Sequence, residues 1–305
     1  MIMKIRGRSL LKAAISIAAI LLVVVSCEAQ SDLEKAVKQF DAQQVTGYIQ
    51  PVTDLFGTNM NSGYSHSGAI STWGFYFRLD IVGMASMIQD AQKTYDALTP
   101  AGFNPGSFQA PTVFGGKATR VTDLGTGLTY SSPADGVINA SVFPLIVPQL
   151  TLGNIFGTQV VIRYVTLPKM SGDNIPNLTM WGLGARHSIS QYFPFVPVDM
   201  AAGIYFNSFT FGDFFDFKGV AVNAVASKSF SILTLYGMLQ WEKSTMNLSY
   251  TPSDAMSPVV NLSMTGANTF RFTAGLELGL GPIKLFGDAN FGSVTAFSAG
   301  IGFGG

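Results

Sequence analysis

The chain has 305 residues, of which 48% are hydrophobic, 12% aromatic and only 12% charged, with 18 Lys and Arg against 18 Asp and Glu. Average globular chains carry about 25% charged residues, so the low charge and the 24 Phe exclude a disordered polymer, and the balanced charge without a basic run argues against a nucleic-acid partner. One Cys and two His exclude a disulfide scaffold and a Cys/His metal cluster.

Lys4, Arg6, Arg8 and Lys12 lead into an apolar run from Ala13 to Val25, broken only by Ser16 and followed by the small residues Ser26, Cys27 and Ala29. This order is that of a secretory signal peptide, because about 13 residues fall short of the roughly 20 that span a bilayer as a helix. Cleavage after Ala29 makes residues 1–29 the leader and discards Cys27. A second reading takes Val24-Val25-Ser26-Cys27 as a degenerate lipobox, with Val where Leu is expected and Cys27 as a lipidated first residue. The small residues favour cleavage after Ala29. The leader then removes four positive charges and one negative charge, which leaves a mature net charge of −3.

Ser31-Asp32-Leu33-Glu34 is a capping box, and Leu33, Ala36, Val37 and Phe40 follow on one helical face. The pattern predicts an amphipathic helix over about residues 31–45, ended by Gly47. Tyr48 to Gly68, rich in Gly, Asn, Ser and Thr, reads as irregular. Residues 30–65 are therefore expected to be an N-terminal helix and plug, ahead of a β-barrel over 66–305.

Alternation at period two dominates the rest. Trp73, Phe75, Phe77, Leu79 and Ile81 share one face, against Gly74, Tyr76, Arg78 and Asp80. The same pattern runs through Trp181–Ile189, Val198–Phe206, Phe270–Leu280 and Ile283–Phe291, and the last segment places Phe297, Ala299, Ile301 and Phe303 together. Gly136 to Ile162 carries no charge, but Pro144, Pro148, Gly153 and Gly157 punctuate it, so it reads as two strands joined near Gly153–Gly157 rather than as a membrane helix. Without a spanning helix, only a closed barrel satisfies its backbone groups in lipid. Alternation alone also fits a half-buried strand of a soluble sandwich. The long apolar sets, the aromatics at segment ends (Trp73, Trp181, Trp241, Phe206, Phe291, Phe303) and the terminal strand favour the transmembrane antiparallel barrel. The final Gly304-Gly305 departs from the usual aromatic terminus. At roughly 20 residues per strand and connection, the length predicts about 12 strands, with 10 or 14 as alternatives. Asp90–Phe114, Asn207–Phe217 and Ser244–Met264 read as long connections.

His187-Ser188 raises the question of a barrel hydrolase. Neighbours on a strand point to opposite faces, so the two cannot pair directly. His187 reads as a girdle residue and His66, among Ser65, Ser67 and Gly68, as a turn residue. Gly182-Leu183-Gly184 and Gly300-Ile301-Gly302-Phe303-Gly304 open no helix and are not phosphate loops. They read as small lumen-side residues that ease curvature. No catalytic, cofactor-binding or metal site is expected, and the chain is not read as an enzyme. The face expected toward the lumen carries Arg78, Arg186, Arg271 and Lys284 against Asp80, Asp199, Glu242, Glu277 and Asp288. These charges either satisfy one another across the interior or line a wet passage.

Several strings carry a resemblance to a known family. They are Tyr48-Ile49-Gln50-Pro51 with Gly57 and Asn61-Ser62-Gly63; Lys93-Thr94-Tyr95; Ala110-Pro111-Thr112-Val113-Phe114-Gly115; Pro148-Gln149-Leu150 with Gly153 and Gly157-Thr158; Arg163-Tyr164; and Gly182-Leu183-Gly184-Ala185-Arg186-His187-Ser188. With them the chain resembles a family of outer-membrane proteins of diderm bacteria known only as a domain of unknown function. The helix-and-plug start is also similar in architecture to long-chain fatty-acid transport barrels. The resemblance implies the cell outer membrane, with its lipid and the barrel-assembly machinery as partners. It points to a channel or transporter for small, possibly hydrophobic molecules. The alternative is a structural or assembly barrel with a filled lumen and no transport.

Overall fold

The computed structural model describes residues 42–167, 177–193, 195–212, 214–250 and 260–305. The leader and residues 31–41 of the expected helix lie outside the described residues.

Ten strands form one closed antiparallel sheet: β1 (Trp73–Met87), β6 (Val142–Ile155), β7 (Thr158–Leu167), β8 (Leu178–Ser188), β9 (Asp199–Phe211), β10 (Phe215–Phe230), β11 (Leu233–Tyr250), β13 (Phe270–Leu280), β14 (Ile283–Phe291) and β15 (Ala296–Gly304). Between β1 and β6 lie two hairpins outside the wall, β2 (Thr94–Leu98) with β3 (Ser107–Pro111) and β4 (Arg120–Thr122) with β5 (Thr129–Ser131). A further strand, β12 (Val260–Thr265), bonds to the end of β11 alone. The wall closes where the first and last of its strands meet, with Arg78 opposite Gly304 and Ser86 opposite Ala296. No second sheet packs face to face on the first among the described residues, which removes the sandwich alternative.

The count of ten is the lower of the expected alternatives rather than the central figure of about 12, for two reasons. Several strands are longer than assumed: β1 has 15 residues, β10 has 16 and β11 has 18. The stretch from Ile88 to Ser141 contributes hairpins rather than wall. Two expected connections are corrected in the same way. Asn207–Phe211 belongs to β9 and Phe215–Phe217 to β10, and Ser244–Tyr250 continues β11. The expected join within Gly136–Ile162 is found at Phe156–Gly157, between β6 and β7.

At one end of the barrel three connections are two-residue turns, and the fourth, between β8 and β9, runs over residues 189–198. Phe156–Gly157, Ser231–Ile232 and Gly281–Pro282 connect neighbours there, with left-handed backbone at Phe156, Gly157, Ser231 and Gly281. Such turns match the twist of the strands they join. The opposite end carries the two hairpins and β12. We refer to these as the turn end and the loop end.

Side chains alternate as a pleated strand requires. Along β13, Phe270, Phe272, Ala274 and Leu276 are exposed while Arg271, Thr273 and Glu277 are buried. Leu79, Ile81, Ile162, Leu183, Ile204, Leu235 and Ile301 extend the exposed apolar band around the wall. Aromatics rim it at both ends: Trp73, Phe156 and Phe230 near the turns, Trp181, Phe270 and Phe291 toward the loops. Phe206, expected at a segment end, instead faces outward from the middle of β9.

A single α-helix is present among the described residues, α1 (Ala42–Met60). It runs through Gly47 and replaces the irregular stretch expected from Tyr48. Gly47 does not stop the helix; a Cβ there would overlap the Tyr95 ring packed against it. Pro51 sits inside the helix and removes the N–H that the Gly47 carbonyl would otherwise accept. Burial of Val45, Tyr48, Ile49, Leu55, Phe56 and Met60 outweighs these two local defects.

Candidate functional site

The candidate site is the lumen, which the chain fills with its own residues. From Met60 the chain continues as an irregular segment through the barrel and leaves at the turn end to begin β1. Contacts from all around the wall mark its path. Ser86 of β1 donates to the Leu55 carbonyl at 3.0 Å, and Asn59 donates to the Phe143 carbonyl of β6 at 2.6 Å. Gln240 of β11 donates to the Asn61 carbonyl at 2.9 Å, and Asn207 of β9 to Asn61 Oδ1 at 3.0 Å. Tyr64 hydrogen-bonds Asn207 and stacks on Tyr205. Further toward the turns, Gly68 N donates to Ser227 Oγ at 2.9 Å, and Arg186 donates to the Ser67 carbonyl.

Two guanidinium groups meet the end of α1. Arg271 donates to the carbonyls of Thr58 (3.1 Å) and Asn61 (2.6 Å) and to Ser62 Oγ (2.6 Å). Arg163 donates to the carbonyls of Ser62 (2.8 Å) and Met60 (3.3 Å) and to Gln149 Oε1 (2.9 Å), with its guanidinium 3.6 Å from the Tyr64 ring centre. The last carbonyls of a helix carry partial negative charge, and cations are favourable there. Arg271 also pairs with Glu242 at 2.8 Å. Arg163, fully buried, has no carboxylate within ion-pair distance among the described residues.

The nine expected lumen residues divide into groups. Arg78 pairs with Asp80 and Glu277, each at 2.7 Å, and all three are buried inside the wall. Gly302 on the intervening β15 leaves room for this contact, because a Cβ there would overlap the Asp80 carboxylate. Glu242 and Arg271 form the pair already described. Asp288 accepts from Tyr236 Oη at 2.8 Å and from Asn290 at 2.6 Å. Arg186 is buried against the plug segment, whereas Asp199 and Lys284 are half-buried near the turns.

Two features went unread in the sequence. His66, expected as a turn residue, lies in the irregular plug segment, buried and stacked on Phe286 with ring centres 3.6 Å apart. Arg163 is absent from the charges expected toward the lumen, although it sits in β7 on the inward parity of Val161. His187 is bonded to Thr158 Oγ1 (2.8 Å), Tyr192 Oη (2.9 Å) and Gln191 Nε2 (2.7 Å) at the turn end, and the adjacent Ser188 is buried on the other face.

The lumen differs chemically along its axis. Toward the turns it is lined by Arg78, Asp80, Gln149, Thr151, Gln159 and Arg186. Toward the loops inward positions of β1, β6, β8, β10 and β11 are Met84, Leu145, Met180, Phe217, Met246 and Leu248, and α1 lies among them. Phe56 makes edge contacts with Phe143, Phe209 and Phe217 there, with ring centres 4.8 to 6.2 Å apart. Thr53 Oγ1 lies 3.8 Å from Met246 Sδ and 4.0 Å from Met264 Sδ.

The profile of a family of unknown function (DUF6588) matches residues 8–305, and the chain belongs to that family. No curated protein matches it. Among solved structures it is similar to OmpT, an outer membrane protein of Vibrio cholerae, at 9% identity over 76% of this chain and 99% of that one, with a TM-score of 0.28. It is similar to the N-terminal β-barrel domain of OprF from Pseudomonas aeruginosa at 14% identity over 49% and 98%, with a TM-score of 0.27. A FadL homologue from Pseudomonas aeruginosa matches at 9% identity over 85% and 97%, with a TM-score of 0.18. Likeness at this level carries no function across.

Proposed function

We propose that this family member is an outer-membrane barrel that takes up small apolar molecules, with residues 42–72 as the plug of its lumen. The exposed apolar band, rimmed by aromatics, is suited to lipid, since soluble monomers rarely expose contiguous apolar patches beyond a few hundred Å². The three two-residue turns at one end and the longest connection, residues 88–141, at the other correspond to the inner and outer sides of such barrels. Outer-membrane lipid and the barrel-assembly machinery are its partners on this reading.

One observation carries the transport reading: the loop-end half of the lumen is lined with Met, Phe and Leu. A water-filled pore needs polar walls. Here apolar walls enclose a helix, and Met side chains adapt to differently shaped apolar occupants. Withdrawal of α1 would open an apolar chamber toward the loops. The chain has no catalytic role in this scheme, since His187 and Ser188 lie on opposite faces.

The test is a reversible lock. Thr53→Cys with Met246→Cys, bridged by a short reducible bis-thiosulfonate, ties α1 to β11 where their side chains meet. Cells expressing the bridged pair should take up an apolar dye at the rate of cells lacking the protein, and reductant should restore uptake. Equal uptake with and without the lock would show that α1 does not gate a passage. No uptake by the unmodified protein would favour the filled structural barrel.

A further inference from the structure

We infer that the chain is threaded through its own barrel from the outer side inward, so that the residues ahead of α1 are displayed at the cell surface while β1 starts from the opposite side. The inference rests on the outer-membrane reading proposed above for which side is which. It does not require α1 to move.

The direction of the thread follows from contacts along α1 and the plug. At the loop end, Gln44 donates to the Leu98 carbonyl (3.3 Å) and to Tyr130 Oη (3.2 Å), and Tyr48 Oη donates to the Asp135 carbonyl (2.8 Å). Val113 N donates to the Tyr48 carbonyl at 3.1 Å. Leu98, Val113, Tyr130 and Asp135 all belong to the connection between β1 and β6 that stands outside the wall. Farther along α1, Gln50 donates to the Thr265 carbonyl at 2.8 Å, and Ala267 N donates to Asp54 Oδ1 at 2.9 Å. Asn61 then meets Gln240 and Asn207 inside the wall. The thread ends at the turns, where Gly157 N donates to the Thr72 carbonyl at 2.9 Å. Residue number therefore falls steadily toward the loop end, and Ala42 starts there. The other end of the chain stays with the turns, since Gly305 N donates to the Phe77 carbonyl at 3.0 Å.

A leader over residues 1–29 delivers the mature chain to the inner side first. Residues 30–41 must then reach the outer side, and five of these twelve are charged: Asp32, Glu34, Lys35, Lys38 and Asp41. Passing them through a finished lumen would strip them of water beside Met84, Leu145 and Phe217, which is costly for charges without partners. The order of the strands avoids that passage. β1 follows the plug directly and completes the ring by pairing with β15, the last strand. A ring that closes at this seam around a plug already laid against the sheet leaves residues 30–41 outside from the start.

Single-cysteine variants of the full chain test the thread in cells. Cys27 is the only native cysteine, and it leaves no free thiol in the mature protein whether it is removed with the leader or acylated. Ser31→Cys is compared with Leu124→Cys, in the connection between β4 and β5, and Ile232→Cys, in the turn between β10 and β11; Leu124 and Ile232 are exposed at opposite ends of the barrel. The probe is a maleimide on a polyethylene glycol too large for porins, added before or after the outer membrane is permeabilised. Ser31→Cys and Leu124→Cys should each shift on a gel by the mass of one reagent on intact cells, and Ile232→Cys only after permeabilisation. If Leu124→Cys shifts on intact cells but Ser31→Cys shifts only after permeabilisation, only after unfolding, or never, the thread is overturned and the outer-membrane barrel stands. If Leu124→Cys itself needs permeabilisation, the loop end does not face outward and the surface display is overturned. No difference between intact and permeabilised cells for any of the three overturns the outer-membrane reading and this inference with it.

Discussion

The pair formed by Arg271 and Glu242 gives a prediction whose sign depends on the plug being held by charge rather than by packing alone. Both side chains are essentially inaccessible to solvent and meet at 2.8 Å. Arg271→Gln removes the cation, leaves Glu242 buried without its partner, and deletes donors to Thr58, Asn61 and Ser62. Breaking a buried pair from one side costs about 3–5 kcal/mol, mostly through the charge left behind. In Arg271→Gln with Glu242→Gln no charge is left behind. Only the contacts to the plug are lost, at about 1–3 kcal/mol, since Gln keeps part of the hydrogen bonding. The double variant should therefore be more stable than Arg271→Gln alone, by about 2 kcal/mol, as neighbours in one network are not additive. Urea titrations of the barrel in lipid vesicles measure the global term. Protease accessibility of residues 42–72 in folded protein measures loosening of the plug, and it should rise in both variants. Additive losses, or a double variant less stable than Arg271→Gln, would refute the view that the buried charge dominates this site.

Leu276 faces outward from β13, so Leu276→Arg should cost about 2–4 kcal/mol of folding stability in vesicles, the scale for a cation on the lipid face; a loss below that of a conservative inward substitution would count against a lipid-facing wall. Gly302→Val would drive a side chain into Asp80 and Arg78, so it should destabilise by about 1–3 kcal/mol in the same titration. An unchanged midpoint would mean that Arg78, Asp80 and Glu277 are not packed as described. In the hairpin outside the wall, the Asp123 carboxyl is held down to about 2, first by the backbone N–H of Asn104 and then by Thr126 and Gly125. Because this lies below the ordinary carboxyl value of 3.8, its contribution to the turn is complete above that value and fades as pH falls toward 2. The amide resonances of Asn104 and Thr126 should titrate with the lower midpoint; a midpoint at the ordinary value would remove the hydrogen bonds from the account.

Parity made much of the wall legible. Phe270–Leu280 and Ile283–Phe291 are strands with the bounds their alternation suggests, because lipid and lumen differ strongly enough in polarity to mark every second residue. The pattern fails where that contrast fades. Both Val142–Val147 and Ser244–Leu248 lie at the loop end: in the first, inward and outward residues are equally apolar and period two disappears, and in the second the contrast inverts, with Met246 and Leu248 inward and Thr245 and Asn247 outward, so strand length is underestimated. Strand count follows strand length, which is why the ring has ten members and not about 12. The helix was misplaced for a related reason. Gly47 and Pro51 are stop signals for a helix in water, but a helix surrounded by Met and Phe is held by burial along its length.

The site was less legible because parity assigns a residue to a face and says nothing of its depth or of what it meets. Arg78, Glu242, Arg271 and Glu277 could all be placed inward, yet their partners depend on register across strands remote in sequence: Arg78 and Glu277 are separated by β14 and β15. Balanced lumen charges suggested self-satisfaction, and for Arg78 with Asp80 and Glu277 that holds. Arg163 breaks the pattern. Its partners are backbone carbonyls of a segment that composition alone read as irregular, and a carbonyl leaves no mark in a sequence. Asp80 answers the charge of Arg163 only from beyond ion-pair distance, so neither parity nor a nearby opposite charge marks what Arg163 holds. What it holds is the turn of chain that follows α1: a guanidinium spread over the Met60 and Ser62 carbonyls and the Tyr64 ring fixes where that segment sits against the wall, and such an anchor becomes visible only once the fold has brought β7 and the plug together.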